Sequence, residues 1–324
     1  MLSIVAIGKN EASNLPRLIA SLAGLKKALP FEVETIFVDS ASTDDSLRLA
    51  TGFFDTIVSL EKSPHLCAGA GRFAGTLEAN HEWIFYIDAD MAVSDEFREP
   101  LRQFLETATQ QTGLIGLYCH HFDNGRVAVQ SFSYSRRKPD AAAQFGGAVV
   151  LRREAVLLAG NWDPSIYGKE EMELYVRLGS GRPVVQFIGV PMVQHFTEHY
   201  SKTELLLRLL TPAAGLGKVY YGYGQTVRAL SIKGKLRALF LLEKEAHFVW
   251  IALSCLLLVT PLIGPATALA ALAGMLAFFV YRLRLGRTIR YLTLPLSLAT
   301  GWFQYFPWFR PRLTRWGSTA KTAQ

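Results

Sequence analysis

The sequence predicts an α/β protein: a doubly wound, mostly parallel sheet followed by amphipathic and transmembrane helices. Three observations carry that expectation. Short apolar runs alternate with helical stretches over residues 1–90. The run Trp83-Ile84-Phe85-Tyr86-Ile87 ends abruptly in Asp88-Ala89-Asp90, and residues 246–281 contain no Asp, Glu, Lys or Arg. A βαβαβαβ order favours parallel strands with helices on both faces.

Residues 2–7 read as the first strand. Residues 13–29 read as a helix, with Leu15, Leu18, Ile19, Leu22 and Leu25 recurring on one face. The second strand, 33–38, closes in Asp39-Ser40-Ala41-Ser42-Thr43-Asp44, where Thr43 and Asp44 suit the N-cap of a helix over 45–51. A strand at 56–60, a helix at 71–80 and a strand at 83–87 complete the series. Beyond residue 91 the pattern loosens. Residues 127–134 alternate like an antiparallel strand, and 146–151 form a strand entered through Gly146 and Gly147. Residues 154–158 and 170–178 read as helices, and a late strand at 184–190 leads to His195 and His199.

After residue 200 the character changes. Residues 203–210, 219–230 and 235–245 mix Leu, Tyr, Lys and Arg like helices lying on a surface. One helix over 246–281 would rise roughly 54 Å, beyond a hydrocarbon core of about 30 Å. Two shorter spans broken at Gly264-Pro265 fit better, against the alternative of a buried soluble hairpin. Lys233, Lys235, Arg237 and Lys244 precede the pair and Arg282, Arg284, Arg287 and Arg290 follow it, so a hairpin puts both clusters on one side. Residues 291–309 are apolar but broken by Pro295 and Pro307, and are expected to lie in the membrane interface. The expected domains are therefore 1–200, 201–245, 246–281 and a basic, aromatic interfacial region over 282–324.

Charge follows the same division. The net charge is +7, yet residues 201–324 carry 16 Lys and Arg against 3 Asp and Glu, leaving 18 against 24 in residues 1–200. A basic, apolar C-terminal third points to an anionic membrane surface. No aromatic-basic repeat or nucleic-acid motif is present, so nucleic acid is not an expected partner. The three scattered cysteines, Cys67, Cys119 and Cys255, have no metal-ligand spacing and suit a reducing compartment. The start of the chain lacks the pattern of a signal peptide. The expected location is the cytoplasmic membrane, with the first domain facing the cytoplasm.

Several chemistry-bearing residues coincide with strand ends: Asn10 and Glu11 after the first, Asp39 after the second, Asp88 and Asp90 after the fourth. Arg72 lies at the start of the preceding helix. In a parallel sheet these meet on the carboxyl edge, where open α/β sheets bind ligands. Paired carboxylates suit a hard divalent cation, which in turn holds a diphosphate. The competing reading of the pair is an Asp-rich turn.

Ser3-Ile4-Val5-Ala6-Ile7-Gly8-Lys9-Asn10-Glu11, Val38 through Asp44, Gly71-Arg72-Phe73-Ala74-Gly75 and Ile87-Asp88-Ala89-Asp90-Met91 resemble, in order, the motifs of family-2 glycosyltransferases. The resemblance covers roughly residues 1–200. It implies a GT-A-like fold, a nucleotide-diphosphate sugar donor and inversion at the anomeric centre. It assigns Asn10, Glu11, Asp39, Arg72 and Asp88 to the nucleotide, and Gly146 and Gly147 to the donor sugar. Asp90 and Asp88 would bind Mg²⁺ or Mn²⁺, with His195 as a further ligand. Residues 162–174 resemble the acceptor-side segment, with Glu171 as base and Glu170 as its neighbour and fallback; on a helix the two should point in different directions. The pattern departs from the family at Lys9, at Ser40 in place of a second Asp, and at Ala41 in place of Gly. An acceptor hydroxyl must lose its proton as it attacks, so a carboxylate within reach is required.

The expected activity is metal-dependent sugar transfer to a polyprenyl-linked saccharide acceptor, in surface polysaccharide or glycolipid synthesis. Membrane lipids are an expected partner, and self-association stays open. A processive polysaccharide synthase is the nearest alternative, but Arg312-Leu313-Thr314-Arg315-Trp316 lacks the Gln of that group's Gln-x-x-Arg-Trp motif. A noncatalytic membrane scaffold is the alternative from another class.

Overall fold

The computed structural model describes residues 1–135, 138–142, 144–179, 184–197, 217–242, 244–283 and 294–316. The stretches expected as helix over 203–210 and the histidine at 199 lie outside these residues.

The front of the chain follows its apolar pattern. Strands β1 (Leu2–Gly8), β2 (Val33–Asp39), β3 (Thr56–Leu60) and β4 (Trp83–Asp88) alternate with helices α1 (Leu15–Ala28), α2 (Ser46–Ala50) and α3 (Ala68–Glu78). In α1 the spacing of Leu15, Leu18, Leu22 and Leu25 buries all four against the sheet, and Pro16 sits in the first turn where its missing N–H costs nothing. The four strands pair in parallel in the order β3-β2-β1-β4. Register then does the positioning. Gly8 lies beside Asp39 and Ile7 beside Asp88, so the carboxylates emerge at the same level of one edge.

Beyond β4 the sheet is mixed rather than simply doubly wound. The chain continues through β5 (Met91–Val93), a 3-10 turn (Asp95–Phe97), α4 (Arg98–Thr107), β6 (Gly113–Phe122), β7 (Val127–Gln130), β8 (Ser133–Ser135), β9 (Lys138–Ala142), β10 (Val149–Arg152), α5 (Arg153–Leu158), α6 (Glu170–Gly179) and β11 (Val185–Thr197). Strand β10 runs antiparallel to β4 and to β6, while β11 runs parallel to β6. The single strand expected over 127–134 is two short ones. The late strand is longer than the expected 184–190, because register shifts around Pro191 absorb the proline without ending the ladder. That extension carries His195 inside a strand rather than in a loop after it.

The C-terminal third departs most from expectation. Helices α7 (Gly217–Ile232), α8 (Leu236–Leu242), α9 (Lys244–Ile263), α10 (Pro265–Leu283) and α11 (Leu294–Phe303) are followed by β12 (Leu313–Arg315). Helices α9 and α10 form the expected hairpin at Gly264, whose φ of +76° permits the reversal. Leu257, Leu258, Leu262, Leu269, Phe278 and Tyr281 stand exposed on it. Among the described residues no helix is long and apolar enough to cross a membrane. Of the region expected over 282–324, the described residues 294–316 reach back to the rest of the fold. Helix α11 packs on α7, and β12 extends the sheet antiparallel to β3. Arg315 pairs with Glu78 at 2.7 Å, and the Trp316 amide donates to the Ile57 carbonyl. An unpaired edge strand offers a row of free N–H and C=O groups, and β12 satisfies them.

Candidate active site

Two loops close the carboxyl edge of β1 and β2. Asn10 adopts φ +59° and its Oδ1 accepts the Thr43 amide at 2.8 Å, while the Asn10 and Glu11 amides donate to the Ser42 and Ser46 hydroxyls. Ala41 also sits at φ +59°, a left-handed conformation that explains why glycine suits this position better. Below this zipper Asp39 is fully buried. Its Oδ2 accepts from the Ser42 amide and the Ser59 hydroxyl, and its Oδ1 has no protein partner among the described residues. An acceptor desolvated in this way is a costly feature unless a ligand donor meets it.

Arg72, expected at the nucleotide, lies 1% exposed inside α3, where its guanidinium meets Asp88 at 2.7 Å, Glu170 at 2.8 Å and Glu171 at 3.7 Å, and faces the Trp162 ring. Burial opposes its charge, but the three carboxylates outweigh burial and hold its pKa above the ordinary arginine value. Glu170 and Glu171 therefore converge on one nitrogen instead of diverging. They differ in exposure: Glu170 is buried, and Glu171 is partly open to solvent. Burial, and then the Glu171 charge, raise the Glu170 pKa against the pull of Arg72. Gly147 packs so closely on Asp88 and Arg72 that a Cβ there would enter the Asp88 carboxylate. Gly146 likewise passes against the Tyr118 ring, whose hydroxyl bonds the Ala148 backbone.

Asp90 follows β4 and meets the far side of the sheet. Strand β5 pairs with β11 so that Met91 lies opposite His195, and the Phe196 amide donates to the Asp90 carbonyl. His195 Nε2 then stands 3.1 Å from Asp90 Oδ2. Burial opposes protonation of His195, but the hydrogen bond and charge of Asp90, with Asp88 and Glu11, raise its pKa. Burial and the charges of Asp90, Asp88 and Asp44 together raise that of Glu11, despite its bond from Asn14. Glu11, Asp88 and Asp90 thus share one negative field.

The residues suit a divalent cation in a limited way. Asp90 Oδ1 is buried with no protein partner among the described residues. The 3.1 Å between His195 Nε2 and Asp90 Oδ2 matches two neighbouring ligands of an octahedral cation, about 3 Å apart when each bond is about 2.1 Å. Asp88 is already committed to Arg72. Among the described residues no group of three or more His, Cys, Asp or Glu is arranged to hold a metal ion. Two protein donors fit a cation that completes its shell with water and phosphate oxygens.

The sequence offered no sign of what grips the acceptor-side loop. Asp163 accepts from Lys233 Nζ and from the Tyr305 hydroxyl, each at 2.7 Å, and Lys233 also reaches Glu173 at 2.8 Å. The Tyr167 amide donates to Gln225 Oε1, Thr226 donates to the Lys169 carbonyl, and the Ser165 hydroxyl donates to the Phe306 carbonyl. A Cβ at Gly222 would strike the Gly168 backbone, so α7 lies directly on the loop that precedes Glu170 and Glu171. His120 lies on β6 with its Nδ1 2.9 Å from His195 Nδ1. Only long-range strand pairing brings these residues together.

Comparison with known proteins places this geometry. Residues 3–147 match the family described as Glycosyl transferase family 2. The fold resembles the mannosyltransferase PcManGT from Pyrobaculum calidifontis in complex with GDP-Man and Mn²⁺, at TM-score 0.59 and 16% identity over 93% of this chain and 86% of that one. It also resembles S. aureus TarS 1-349 in complex with UDP-GlcNAc, at TM-score 0.56 and 14% identity over 93% and 89% of the two chains. Against the longer S. aureus TarS structure the match spans 43% of that chain, with a TM-score of 0.48.

Proposed function

We propose that this chain, a glycosyltransferase whose GT-A-like fold carries a glycosyltransferase family 2 domain over residues 3–147, transfers a sugar with inversion from a nucleoside-diphosphate sugar to a lipid-linked saccharide, using Mg²⁺ or Mn²⁺. The observation that carries the reading is the unpartnered, buried Oδ1 of Asp90, paired through Oδ2 with His195 on the edge that also holds Asp39 and Glu171.

Asp39 Oδ1 receives a donor group of the nucleoside, since its other oxygen is already bonded. Asp90 and His195 would hold the cation, which would supply positive charge against the charge that develops on the departing diphosphate. Glu171 takes the proton of the acceptor hydroxyl, being the partly exposed member of the pair on α6. Glu170 keeps Arg72 in place, and Arg72 in turn orients Asp88. GDP-Man and UDP-GlcNAc, the ligands of the two similar structures, define the donor classes to test first.

The lipid acceptor is supported by the exposed apolar side chains of the α9–α10 hairpin and by the uncharged run over 246–281. The hairpin inserts into the cytoplasmic membrane, with Lys233, Lys235 and Arg237 on the cytoplasmic face.

Thermal unfolding of the full chain with a panel of nucleoside-diphosphate sugars, with and without Mn²⁺, tests the donor and metal together. One donor class should raise the melting temperature, and only with the cation, because a ligand stabilises the fold it prefers. Asp90→Ala should lose that shift. A shift of equal size without the cation would refute metal dependence, and none with any donor would refute the donor reading. Transfer to a soluble saccharide as efficient as transfer to its polyprenyl-linked form would refute the lipid acceptor.

A further inference from the structure

We infer that His120 is a positioning residue for the Asp90–His195 pair: it accepts a hydrogen bond from His195 Nδ1–H and so fixes the His195 ring with Nε2 toward Asp90 and the cation the two would share. This rests on the metal reading above, and extends it to two residues, His120 and Gln130, that nothing in the sequence connects with the site.

The sheet builds the arrangement. Strand β11 lies between β5 and β6, and His195 is opposite Met91 on one side and opposite His120 on the other. Strand β7 pairs with the far edge of β6, placing Gln130 opposite Tyr118 and diagonal to His120. Diagonal neighbours across paired strands are within reach of long side chains. Four groups therefore form one line: Gln130 Oε1 to His120 Nε2 at 2.9 Å, His120 Nδ1 to His195 Nδ1 at 2.9 Å, and His195 Nε2 to Asp90 Oδ2 at 3.1 Å.

Donor and acceptor rules give the line a direction. An amide oxygen only accepts, so His120 Nε2 carries the proton. A neutral His120 then offers a lone pair at Nδ1, and the bond to His195 forms only if His195 Nδ1 carries a proton. A His195 ring that gave its Nε2 lone pair to a cation would carry its one proton on Nδ1, the donor that His120 accepts. Two acceptors 3.1 Å apart repel one another unless a proton or a cation lies between them. Metal-ligating histidines are commonly fixed through the other ring nitrogen in this manner, and loss of such a partner costs roughly 10–100-fold in metal affinity.

Packing alone is the competing account, since the His120 ring also stacks on Phe122 and lies near Tyr118. His120→Phe keeps a ring and removes the acceptor, whereas His120→Asn keeps an acceptor at the Nδ1 position and removes the ring. Mn²⁺ alone, titrated into the full-length protein and followed by the loss of the free-ion paramagnetic resonance signal, reads the site without turnover. His120→Phe should weaken Mn²⁺ binding by about 10–100-fold, and His120→Asn should restore most of it. Gln130→Leu should weaken binding in the same direction by less, and carries the test if His120→Phe does not fold. Wild-type affinity in both His120→Phe and Gln130→Leu would overturn the inference while leaving the metal reading intact. Equal weakening in His120→Phe and His120→Asn, with unchanged melting temperatures, would also overturn it. No Mn²⁺ binding by the wild-type protein, either alone or with GDP or UDP present, would remove the metal reading and this inference with it.

Discussion

Asp39 and Asp88 end β2 and β4, parallel neighbours of β1 whose register places them by backbone pairing, and Asp90 follows two residues on. Glu170 and Glu171 stand at the start of α6, on a loop held by side chains from α7, Lys233 and residues 304–306. In the proposed mechanism the donor half of the site is thus a property of the sheet, and the acceptor half is a property of the C-terminal third folded onto it. Arg72 joins them, with Asp88 on one side and Glu170 on the other.

That division is open to test. The largest effect should come from Glu171→Gln, which removes the proposed base and leaves every contact of Asp39 and Asp90 in place. Transfer should fall by about 10²–10⁴-fold, with donor binding and melting temperature unchanged. Loss of donor binding in calorimetry would show that the halves are not separate. Arg72→Met comes next, because it strands Asp88 and Glu170 without their shared cation. Breaking a buried ion pair from one side costs about 3–5 kcal/mol, read as a lower urea midpoint. A midpoint equal to the wild type would mean that the guanidinium does not join the two halves.

Lys233→Met should act most gently, leaving Asp163 and Glu173 without their shared partner at a cost of about 1–3 kcal/mol. The acceptor KM should rise and the donor KM should stay, and equal changes in both would erase the distinction. The same pair has a pH signature. Burial pushes the Asp163 pKa up, but the charge and bond of Lys233 and the Tyr305 bond outweigh it, leaving the pKa below its ordinary value of 3.8. A depressed carboxylate stabilises the fold above its unfolded pKa and loses that contribution as pH falls through the folded value. From about pH 5 to about pH 3 the wild type should therefore lose more stability than Lys233→Met. Parallel curves would refute the coupling.

The legible parts of the molecule were those governed by short-range physics. The strand expected at 56–60 is Thr56–Leu60, and the one expected at 83–87 is Trp83–Asp88, because apolar runs bounded by polar turns need little context. Glycines at 8, 75 and 147 sit where another residue would strike a neighbour, so motif positions and close approaches coincide. The antiparallel direction of β10 was not legible because strand direction leaves no periodic trace. The neighbours of His120 were not legible for a related reason: alternation along β6 says which face a side chain occupies, not which strand lies beside it. The three carboxylates around Arg72 left no trace either, because they come from elements far apart in the chain.

By itself the sequence determined the parallel β1–β4 frame, the carboxylates at its edge and the break at Gly264-Pro265, since each depends on local pattern or on one residue's backbone freedom. Only the tertiary structure decided that Arg72 is an internal cation, that β12 closes the edge at β3, and that Asp90, His195 and His120 fall in line. Those outcomes depend on pairings between residues far apart in the chain. Burial sets their energies, and local sequence carries no record of it.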